Sequence, residues 1–249
     1  MNALLSVEKL TRRFGGLTAV NAVTLDLHIG EVHAVIGTNG AGKSTLINML
    51  SGEIAASEGR ISLNGVDITG RAQSKRARDG VGRSYQRTTI FPEFSVRENC
   101  RLAAQAANAR PWAIWQSSQH CATSNAAADA ALEAAGLADE ALRIAGTMSH
   151  GAQRQLEVAM CLATNPRVLL LDEPLAGMGA EETDRMLTLL ARLKATHAIL
   201  LVEHDMDAVF RIADRITVMV NGTVIATGNP KEIRENPEVR TAYLGEEQH

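Results

Sequence analysis

Residues 37–45 read Gly-Thr-Asn-Gly-Ala-Gly-Lys-Ser-Thr and match the phosphate-binding pattern GxxxxGK[ST], the Walker A motif. A short apolar run, Val32 to Ile36, precedes this stretch, and apolar residues at helical spacing follow it. In a strand, glycine-rich loop and helix of this kind, backbone N–H groups and the helix N-terminus surround a phosphate. The stretch therefore predicts an α/β fold that binds a nucleoside triphosphate, rather than an ordinary glycine-rich turn.

Two side chains of this loop have separate predicted roles. Lys43 supplies a positive charge to the β- and γ-phosphates, and the Ser44 hydroxyl is a suitable ligand for Mg²⁺. The loop residues predicted to bind the nucleotide are Gly37, Thr38, Asn39, Gly40, Ala41, Gly42, Lys43, Ser44 and Thr45.

The composition is that of a globular protein of 249 residues, 45% of them apolar and 21% charged. The net charge of −3 provides no general basic field for nucleic acid. The three cysteines lack metal-ligand spacing, and an odd number argues against a disulfide framework, so a reducing cytosol is expected. The N-terminal apolar stretch is too short for a signal peptide, and no run of about 20 apolar residues is present.

Strand and helix patterns divide the chain into three parts. Alternating residues predict strands near the N-terminus, and the pairs Asn64-Gly65 and Asn221-Gly222 predict two hairpins. These hairpins suggest an antiparallel sheet beside the nucleotide-binding core. Alanine-rich helical patterns dominate from about residue 95 to 163, which we interpret as an inserted helical subdomain; within it, residues 103–124 form either a mobile loop or a packed helix.

The α/β pattern returns after residue 164. Continuous apolar runs at residues 168–171 and 198–202 predict strands buried on both faces. Asn229-Pro230 and Asn236-Pro237 each place a capping residue before a proline, which predicts two short helices at the end of the chain.

Polar side chains follow both buried strands. Asp172 ends the first strand, where α/β folds place ligands, and it is the expected Walker B partner of Mg²⁺. Glu173 could orient or deprotonate an attacking water, and His204, after the second strand, could hold that water near the γ-phosphate. The alternatives are a solvated acidic strand end and a structural or surface histidine.

The stretch Met148-Ser149-His150-Gly151-Ala152-Gln153-Arg154-Gln155-Leu156-Glu157 resembles the signature of the ATP-binding cassette family, approximately LSGGQ. The resemblance implies a head-to-tail dimer in which the signature of one cassette covers the ATP bound to the other. Ser149 and the Gly151 amide would then contact the γ-phosphate, supported by the N-terminus of the following helix. Without the family, the segment reads only as a turn that opens an amphipathic helix.

Further motifs extend the resemblance over nearly the whole chain. Residues 84–87 and 90–92 look like the Q-loop region, which implies that Gln86 contacts Mg²⁺ and the water. Phe14 matches the aromatic residue that stacks on adenine, although a core phenylalanine is the competing interpretation. His204 matches the family's switch histidine.

Two departures from the family pattern concern the dimer contact. Ala152 replaces a polar residue of the signature, and Gly179 stands where many cassettes have aspartate in the D-loop. The second departure leaves the cross-subunit hydrogen bond at position 179 in doubt.

The resemblance implies the following organisation. Residues 1–249 form a single cassette. Residues 1–86 and 164–249 contain a RecA-like P-loop NTPase core together with an N-terminal antiparallel β subdomain, and residues 87–163 form a helical subdomain that carries the signature. The loop around residues 88–94 would dock separate permeases, unless Ile90, Phe91 and Phe94 are buried in their own subdomain.

The motifs of the D-loop, the His204 region and the C-terminus look like those of ATPase subunits that serve branched-chain amino acid importers. This subfamily implies transmembrane permeases, a second cassette (a paralogue or a copy of this chain), an indirect solute-binding protein, and a peripheral place on the cytoplasmic face of the inner membrane. Urea or amide importers and exporters remain alternatives. A cassette ATPase acting on nucleic acid or ribosomes is the alternative from a different class, and the absence of a basic footprint argues against it.

Overall fold

The structure is a computed structural model that describes residues 3–85, 89–108 and 122–244. The strands are β1 (Leu5–Phe14), β2 (Leu17–Leu27), β3 (Val32–Gly37), β4 (Glu58–Leu63), β5 (Val66–Asp67), β6 (Val81–Arg83), β7 (Val168–Asp172), β8 (Ala198–Val202), β9 (Arg215–Val220) and β10 (Thr223–Gly228). The helices are α1 (Lys43–Ser51), α2 (Gln73–Arg78), α3 (Val96–Asn108), α4 (Ala122–Ala135), α5 (His150–Ala163), α6 (Ala180–Leu193), α7 (Met206–Ile212), α8 (Pro230–Glu235) and α9 (Pro237–Leu244).

The core is a six-stranded sheet in the order β10-β9-β3-β8-β7-β6. All neighbouring strands in it are parallel except β10, which pairs antiparallel with β9. Every residue of β3, β7 and β8 is buried, which confirms the prediction of strands covered on both faces. Because β3, β7 and β8 are parallel, the segments that follow them meet at one edge of the sheet.

Aliphatic side chains fill both faces of this sheet, as the low aromatic content requires. Along β7, Val168 and Leu170 pack with α1 and the N-terminal strands, whereas Leu169 and Leu171 pack with α6. Successive residues of a strand point to opposite faces, so one apolar run serves two clusters.

The N-terminal strands form a second, antiparallel sheet in the order β2-β1-β4-β5. Its β4–β5 hairpin turns through Asn64 and Gly65, whose φ angles of 50° and 77° are those of a type I′ turn. The first predicted hairpin and the antiparallel subdomain are therefore confirmed.

The second predicted hairpin forms, but in a different sheet from the one expected. Asn221 and Gly222 have φ angles of 48° and 79° and join β9 to β10. Both strands belong to the core sheet, because β9 pairs in parallel with β3. The placement of this hairpin in an antiparallel subdomain was wrong. An Asn-Gly turn predicts that the two strands it joins pair with each other, but it does not predict which other strand lies beside them.

Three helices, α3, α4 and α5, lie between β6 and β7 in the chain and pack on one another. Their shared core is formed by small and aliphatic residues such as Ala128, Leu132 and Leu156. The helical character predicted here is confirmed, and α3 and α4 take up the two ends of the 103–124 stretch. Residues 109–121, which include Trp112 and Trp115, lie outside the described residues.

The chain closes with the two predicted capped helices. Asn229 Oδ1 accepts hydrogen bonds from the Lys231 and Glu232 amides at the start of α8, and Asn236 Oδ1 accepts from the Glu238 and Val239 amides at the start of α9. No helix in the described part of the chain combines the length and apolar character needed to cross a membrane.

Candidate functional site

The phosphate loop joins β3 to α1 through a backbone that tolerates no side chain at two positions. A Cβ atom on Gly37 would lie 2.2 Å from the Met219 carbonyl oxygen, and one on Gly42 would lie 2.3 Å from the Ala19 carbonyl oxygen. Gly42 also has a φ of 97°, in the left-handed region. The glycines therefore allow the loop to pack closely against its neighbouring strands.

Lys43 begins α1 and folds back over the loop. Its Nζ donates to the carbonyl oxygens of Gly37 at 2.6 Å and Thr38 at 3.0 Å. Burial lowers the pKa of Lys43, whereas the nearby carboxylates of Glu173 and Asp172 act to raise it. The loop thus holds a cation close to two acidic groups.

A cavity of about 700 Å³ opens over this loop, a size that suits a cofactor or nucleotide. Its lining comprises Phe14, Leu17, Thr18, Ala19, Asn39, Gly40, Ala41, Gly42, Lys43, Ser44, Thr45, Glu173, Asn221 and Gly222. Phe14 is 43% exposed at its wall, so the competing interpretation of a core phenylalanine was wrong. Arg12 packs on the Phe14 ring, with its guanidinium carbon 4.5 Å from the ring centroid.

Sequence reasoning missed the part of the lining contributed by β2 and by the β9–β10 turn. The Gly222 amide donates to the Ala41 carbonyl, and its own carbonyl accepts from Asn21. The Asn-Gly pair was a visible signal for a turn, but its position beside the phosphate loop follows from the β3–β9 pairing.

Asp172 is a buried carboxylate at the end of β7. Burial raises its pKa, and the charges of Arg83 and Lys43 oppose that shift. Arg83 lies at the end of β6, with Nη2 3.5 Å from Asp172 Oδ2, and its guanidinium also bonds Asn48, Ser51 and Glu53. This arginine, which the sequence analysis overlooked, connects α1 with the β7 aspartate.

Glu173 follows with a backbone conformation that is rare for its residue type. Its φ is 49°, and its amide donates to the Val202 carbonyl of β8. Such strained residues concentrate at functional sites, where the surrounding structure holds them in place. The turn directs the Glu173 side chain into the cavity lining.

His204, which follows β8, lies beside this glutamate. Its Nδ1 is 3.9 Å from Glu173 Oε1, and the imidazole is 62% exposed. The fully buried Glu203 accepts hydrogen bonds from the amides of Leu175 and His204. Glu203 therefore ties the segment after β7 to the segment after β8, and nothing in the sequence marked it for this role.

The signature-like turn opens α5 at a separate place. Ser149 caps this helix by accepting from the Ala152 amide, and its hydroxyl donates to Glu182 Oε1 at 2.7 Å. Among the described residues, neither Ser149 nor Gly151 lines the cavity over the phosphate loop. The predicted site residues that the structure describes therefore lie in two separate places on one chain.

One predicted site residue, Gln86, lies outside the described residues, although its neighbours Ser84 and Tyr85 are described. The Ser84 hydroxyl oxygen accepts a long hydrogen bond, 3.4 Å, from the Asp172 amide. The described segment before Gln86 thus runs next to the β7 aspartate.

The arrangement can bind and hydrolyse a polyphosphate. Loop amides, the α1 N-terminus and Lys43 provide positive potential, and Ser44 and Asp172 provide oxygen ligands of the kind that Mg²⁺ prefers. Glu173 is a carboxylate at the cavity wall, and a carboxylate in such a position can accept a proton from water.

Comparison with known proteins agrees with this geometry. The family described as ABC transporter matches residues 20–176, and one described as branched-chain amino acid ATP-binding cassette transporter matches residues 223–249. The chain is 42% identical to BraF of Pseudomonas aeruginosa and to LivG of Escherichia coli K12, with 98% of each chain covered in both comparisons. Both relatives are described as high-affinity branched-chain amino acid transport ATP-binding proteins.

A solved structure supports the same grouping. An ATP-binding cassette of an ABC transporter in its ADP conformation has a TM-score of 0.85 and 28% identity, covering 98% of this chain and all of that one. The family match spans more than half of the chain and the curated relatives span almost all of it. This chain therefore belongs to the ABC transporter family and is one of its ATP-binding, ATP-hydrolysing cassettes.

Proposed function

We propose that this chain is the ATPase subunit of an importer of branched-chain amino acids. The observation that carries the proposal is the 42% identity to BraF and LivG over 98% of each chain, since both are described as branched-chain amino acid transport proteins. The separate match of residues 223–249 to a branched-chain family supports it from a part of the chain that lies outside the general ABC match.

The proposed nucleotide site uses the cavity over the phosphate loop. Adenine stacks on Phe14, and the loop amides and Lys43 bind the β- and γ-phosphates. Ser44, Asp172 and Gln86 are the residues that would hold Mg²⁺, which neutralises negative charge on these phosphates when it is bound. Ser44 lines the cavity, and Asp172, which contacts Arg83, lies close enough to Lys43 of the loop for the two charges to interact, so their oxygen atoms suit the ion chemically.

Hydrolysis in this proposal depends on two residues at the sheet edge. Glu173 accepts a proton from the attacking water, and His204, 3.9 Å away, holds the water and the γ-phosphate in line. The strained Glu173 backbone fixes the carboxylate, and the buried Glu203 positions the amide of His204.

The proposed working unit contains two cassettes in head-to-tail contact. Ser149 and Gly151 of one cassette contact the γ-phosphate on the other, which is consistent with the fact that neither is among the described residues lining the cavity of its own chain. The second cassette is a paralogue or a copy of this chain. Closure over two nucleotides yields the binding energy that changes the conformation of attached subunits.

Those attached subunits are transmembrane permeases, which receive solute from a solute-binding protein and place this chain at the cytoplasmic face of the membrane. We propose the surface of residues 89–94 as the docking contact. Phe91 and Phe94 are 49% and 43% exposed with stacked rings 5.6 Å apart, whereas Ile90 packs against the α3–α5 core. Residue 88, also assigned to this contact from the sequence, lies outside the described residues.

The proposed division of the chain follows its sheets and helices. Residues 1–86 and 164–249 form the nucleotide-binding core with its β subdomain, and residues 87–163 form the helical subdomain with the signature. The position of α3, α4 and α5 between β6 and β7 supports these boundaries.

The test is solute uptake by the native host after removal of this chain. Uptake of radiolabelled leucine, isoleucine and valine should fall and should return with the wild-type gene but not with Glu173→Gln. Urea and an amide serve as control solutes. Normal leucine uptake together with lost urea or amide uptake would overturn the substrate assignment and favour the alternative importer.

The docking contact has its own test. Phe94→Cys should form a crosslink to a co-expressed permease, and Leu142→Cys, which is also exposed in the helical segment, provides a reference position. A crosslink at neither position, in a complex that still assembles, would remove the docking assignment.

A further inference from the structure

Glu182, in the first turn of α6, has no role in the mechanism above, yet its carboxylate lies on the signature turn. Glu182 Oε1 accepts from the Ser149 hydroxyl at 2.7 Å, and the Gly151 amide bonds the same carboxylate. A Cβ atom on Gly151 would lie 2.3 Å from Glu182 Cδ. The carboxylate therefore fills the space that the missing side chain of Gly151 leaves open.

The chemistry of these contacts is that of an anion site. A serine hydroxyl and an amide in the first turn of a 14-residue helix are donors, and the helix dipole favours negative charge there. The hydrogen bonds from Ser149 and from the Gly179 and Gly151 amides hold the pKa of Glu182 below its ordinary value. The side chain is thus held as a carboxylate at the donors assigned above to a γ-phosphate.

A hydroxyl group has a single hydrogen to donate. While Ser149 donates it to Glu182, the same hydroxyl cannot donate to a phosphate oxygen. Two anions on the same donors would also repel each other.

We propose that Glu182 is a positioning residue that occupies the signature turn in the nucleotide-free chain and is displaced by the γ-phosphate of the opposing cassette. The inference rests on the proposed function, because it assigns the opposing nucleotide to Ser149 and Gly151. When two cassettes close over nucleotide, Glu182 must give up its contacts with Ser149 and Gly151. Glu182 therefore raises the ATP concentration at which two cassettes pair.

The chain offers a matched control for the charge of Glu182. Glu181 is the preceding residue in α6, and its side chain is 91% exposed, with an oxygen 3.5 Å from Arg185. Glu182→Gln and Glu181→Gln remove the same charge one residue apart. The glutamine at position 182 can still accept a hydrogen bond, which limits any loss of folding stability, and thermal unfolding of both variants verifies this.

The first measurement needs no nucleotide. In the NMR spectrum of the free chain, the Gly151 amide proton should shift upfield in Glu182→Gln and stay in place in Glu181→Gln. An unchanged Gly151 signal in Glu182→Gln would show that the carboxylate does not bind the turn, and would overturn the inference while leaving the proposed function intact.

The second measurement follows dimer formation by analytical ultracentrifugation with Mg²⁺ and ATP, with Glu173→Gln present in every protein. Glu182→Gln should lower the ATP concentration of half-dimerisation about fivefold, the order expected for removing one solvent-exposed charge close to another. Glu181→Gln should change it by less than about twofold. If Glu182→Gln needs the same or a higher ATP concentration for half-dimerisation than the parent, the inference is overturned and the proposed function is left intact.

A third outcome concerns the proposed function itself. If the Glu173→Gln parent and both variants stay monomeric at saturating ATP, both alone and mixed with the paralogous cassette of the host, head-to-tail pairing over nucleotide is overturned, and the competition by Glu182 falls with it. The Gly151 measurement then still decides whether the carboxylate binds the turn, so the two failures are distinguishable.

Discussion

At the scale of single residues, the site places Lys43 near two adjacent carboxylates that have different surroundings. Asp172 is buried and contacts Arg83, which suits a fixed ligand of a metal ion. Glu173 lies at the cavity wall beside His204, which suits proton transfer with water. A continuing strand would direct Glu173 to the face of the sheet opposite Asp172, whereas the left-handed backbone at Glu173 follows the end of β7 and leaves its side chain at the cavity wall.

Glu173→Gln should slow ATP hydrolysis strongly without loss of ATP binding. The amide keeps the size and hydrogen-bonding capacity of the carboxylate but cannot take a proton, so we expect the hydrolysis rate to fall about 10²- to 10⁴-fold. Phosphate release and ATP binding measured on the same preparation test this. Glu140→Gln, at an exposed ion pair with Arg143, is the control. Wild-type turnover in Glu173→Gln would remove the general base.

Lys43→Ala should weaken triphosphate binding more than it affects folding. Loss of a charge-assisted hydrogen bond is expected to raise the Kd for ATP roughly ten- to a hundredfold. Titration calorimetry provides the measurement, and Lys75→Ala, at an exposed position of α2, provides the control. Equal ATP affinities for the two variants would contradict the phosphate role of Lys43.

At the scale of elements, the site exists because parallel strands end at one edge of a sheet. β3 leads into the phosphate loop, β7 ends at Asp172 and β8 leads to His204, and the three are neighbours in the order β3-β8-β7. The β9–β10 turn closes the cavity on the other side of β3, where Gly222 bonds the loop at Ala41. The shape of the phosphate loop is thus set partly by elements far away in sequence.

Gly42→Ala should disrupt the loop, because a Cβ atom there would meet the Ala19 carbonyl at 2.3 Å and the φ of 97° disfavours any side chain. Left-handed strain costs on the order of 1–3 kcal/mol, so ATP affinity should fall by at least about tenfold. Gly65→Ala is the control, because Gly65 has a φ of 77° in a hairpin turn and a Cβ atom added there would meet no atom within 4 Å. Unchanged ATP binding in Gly42→Ala would show that the loop does not need the close contact with β2.

At the scale of the whole molecule, buried polar groups make stability depend on pH. His33 lies inside the core sheet, where burial lowers its pKa to about 4, and its ring nitrogens bond the Asp26 carbonyl and the Thr217 hydroxyl. The unfolded chain binds a proton at this histidine near pH 6.5, whereas the folded chain does so only near pH 4. Between these values the unfolded state holds more protons, so acidification favours unfolding.

The contribution of His33 should therefore be lost as the pH falls from 6.5 towards 4. When the pH falls from 7 to 5, protonation of His33 in the unfolded chain should lower the free energy of unfolding by about 2 kcal/mol. The buried acids Glu157, Glu203 and Asp172 have raised pKa values, which oppose this trend. The quantity to measure is therefore the difference in the free energy of unfolding between wild type and variant at each pH. In urea unfolding, the free energy of unfolding of His33→Gln should not show this decrease between pH 7 and 5, whereas that of the control His197→Gln should. If the free energies of unfolding of wild type and His33→Gln depend on pH in the same way, the assignment is contradicted.

Local chemistry was sufficient to predict the two buried strands, the two capped helices and both hairpin turns, and it marked most of the residues that line the cavity over the phosphate loop. Each of these patterns predicts local structure from about ten neighbouring residues, because glycine, proline and capping side chains act on the backbone next to them. Examples are the loop at residues 37–45, the apolar run before Asp172 and the two Asn-Pro pairs. The family resemblance then predicted the fold class and the ATPase activity, and both are confirmed by the comparisons.

Tertiary packing alone decided the remaining features. It placed the second hairpin in the core sheet, left Phe14 at the cavity wall, and brought Arg83, Glu203 and Glu182 to positions that no motif marks. These contacts join residues far apart in the chain, and charged or polar side chains of their kind are found on any protein surface. Which partner such a side chain meets depends on the packing of sheets and helices, and no local pattern encodes that choice.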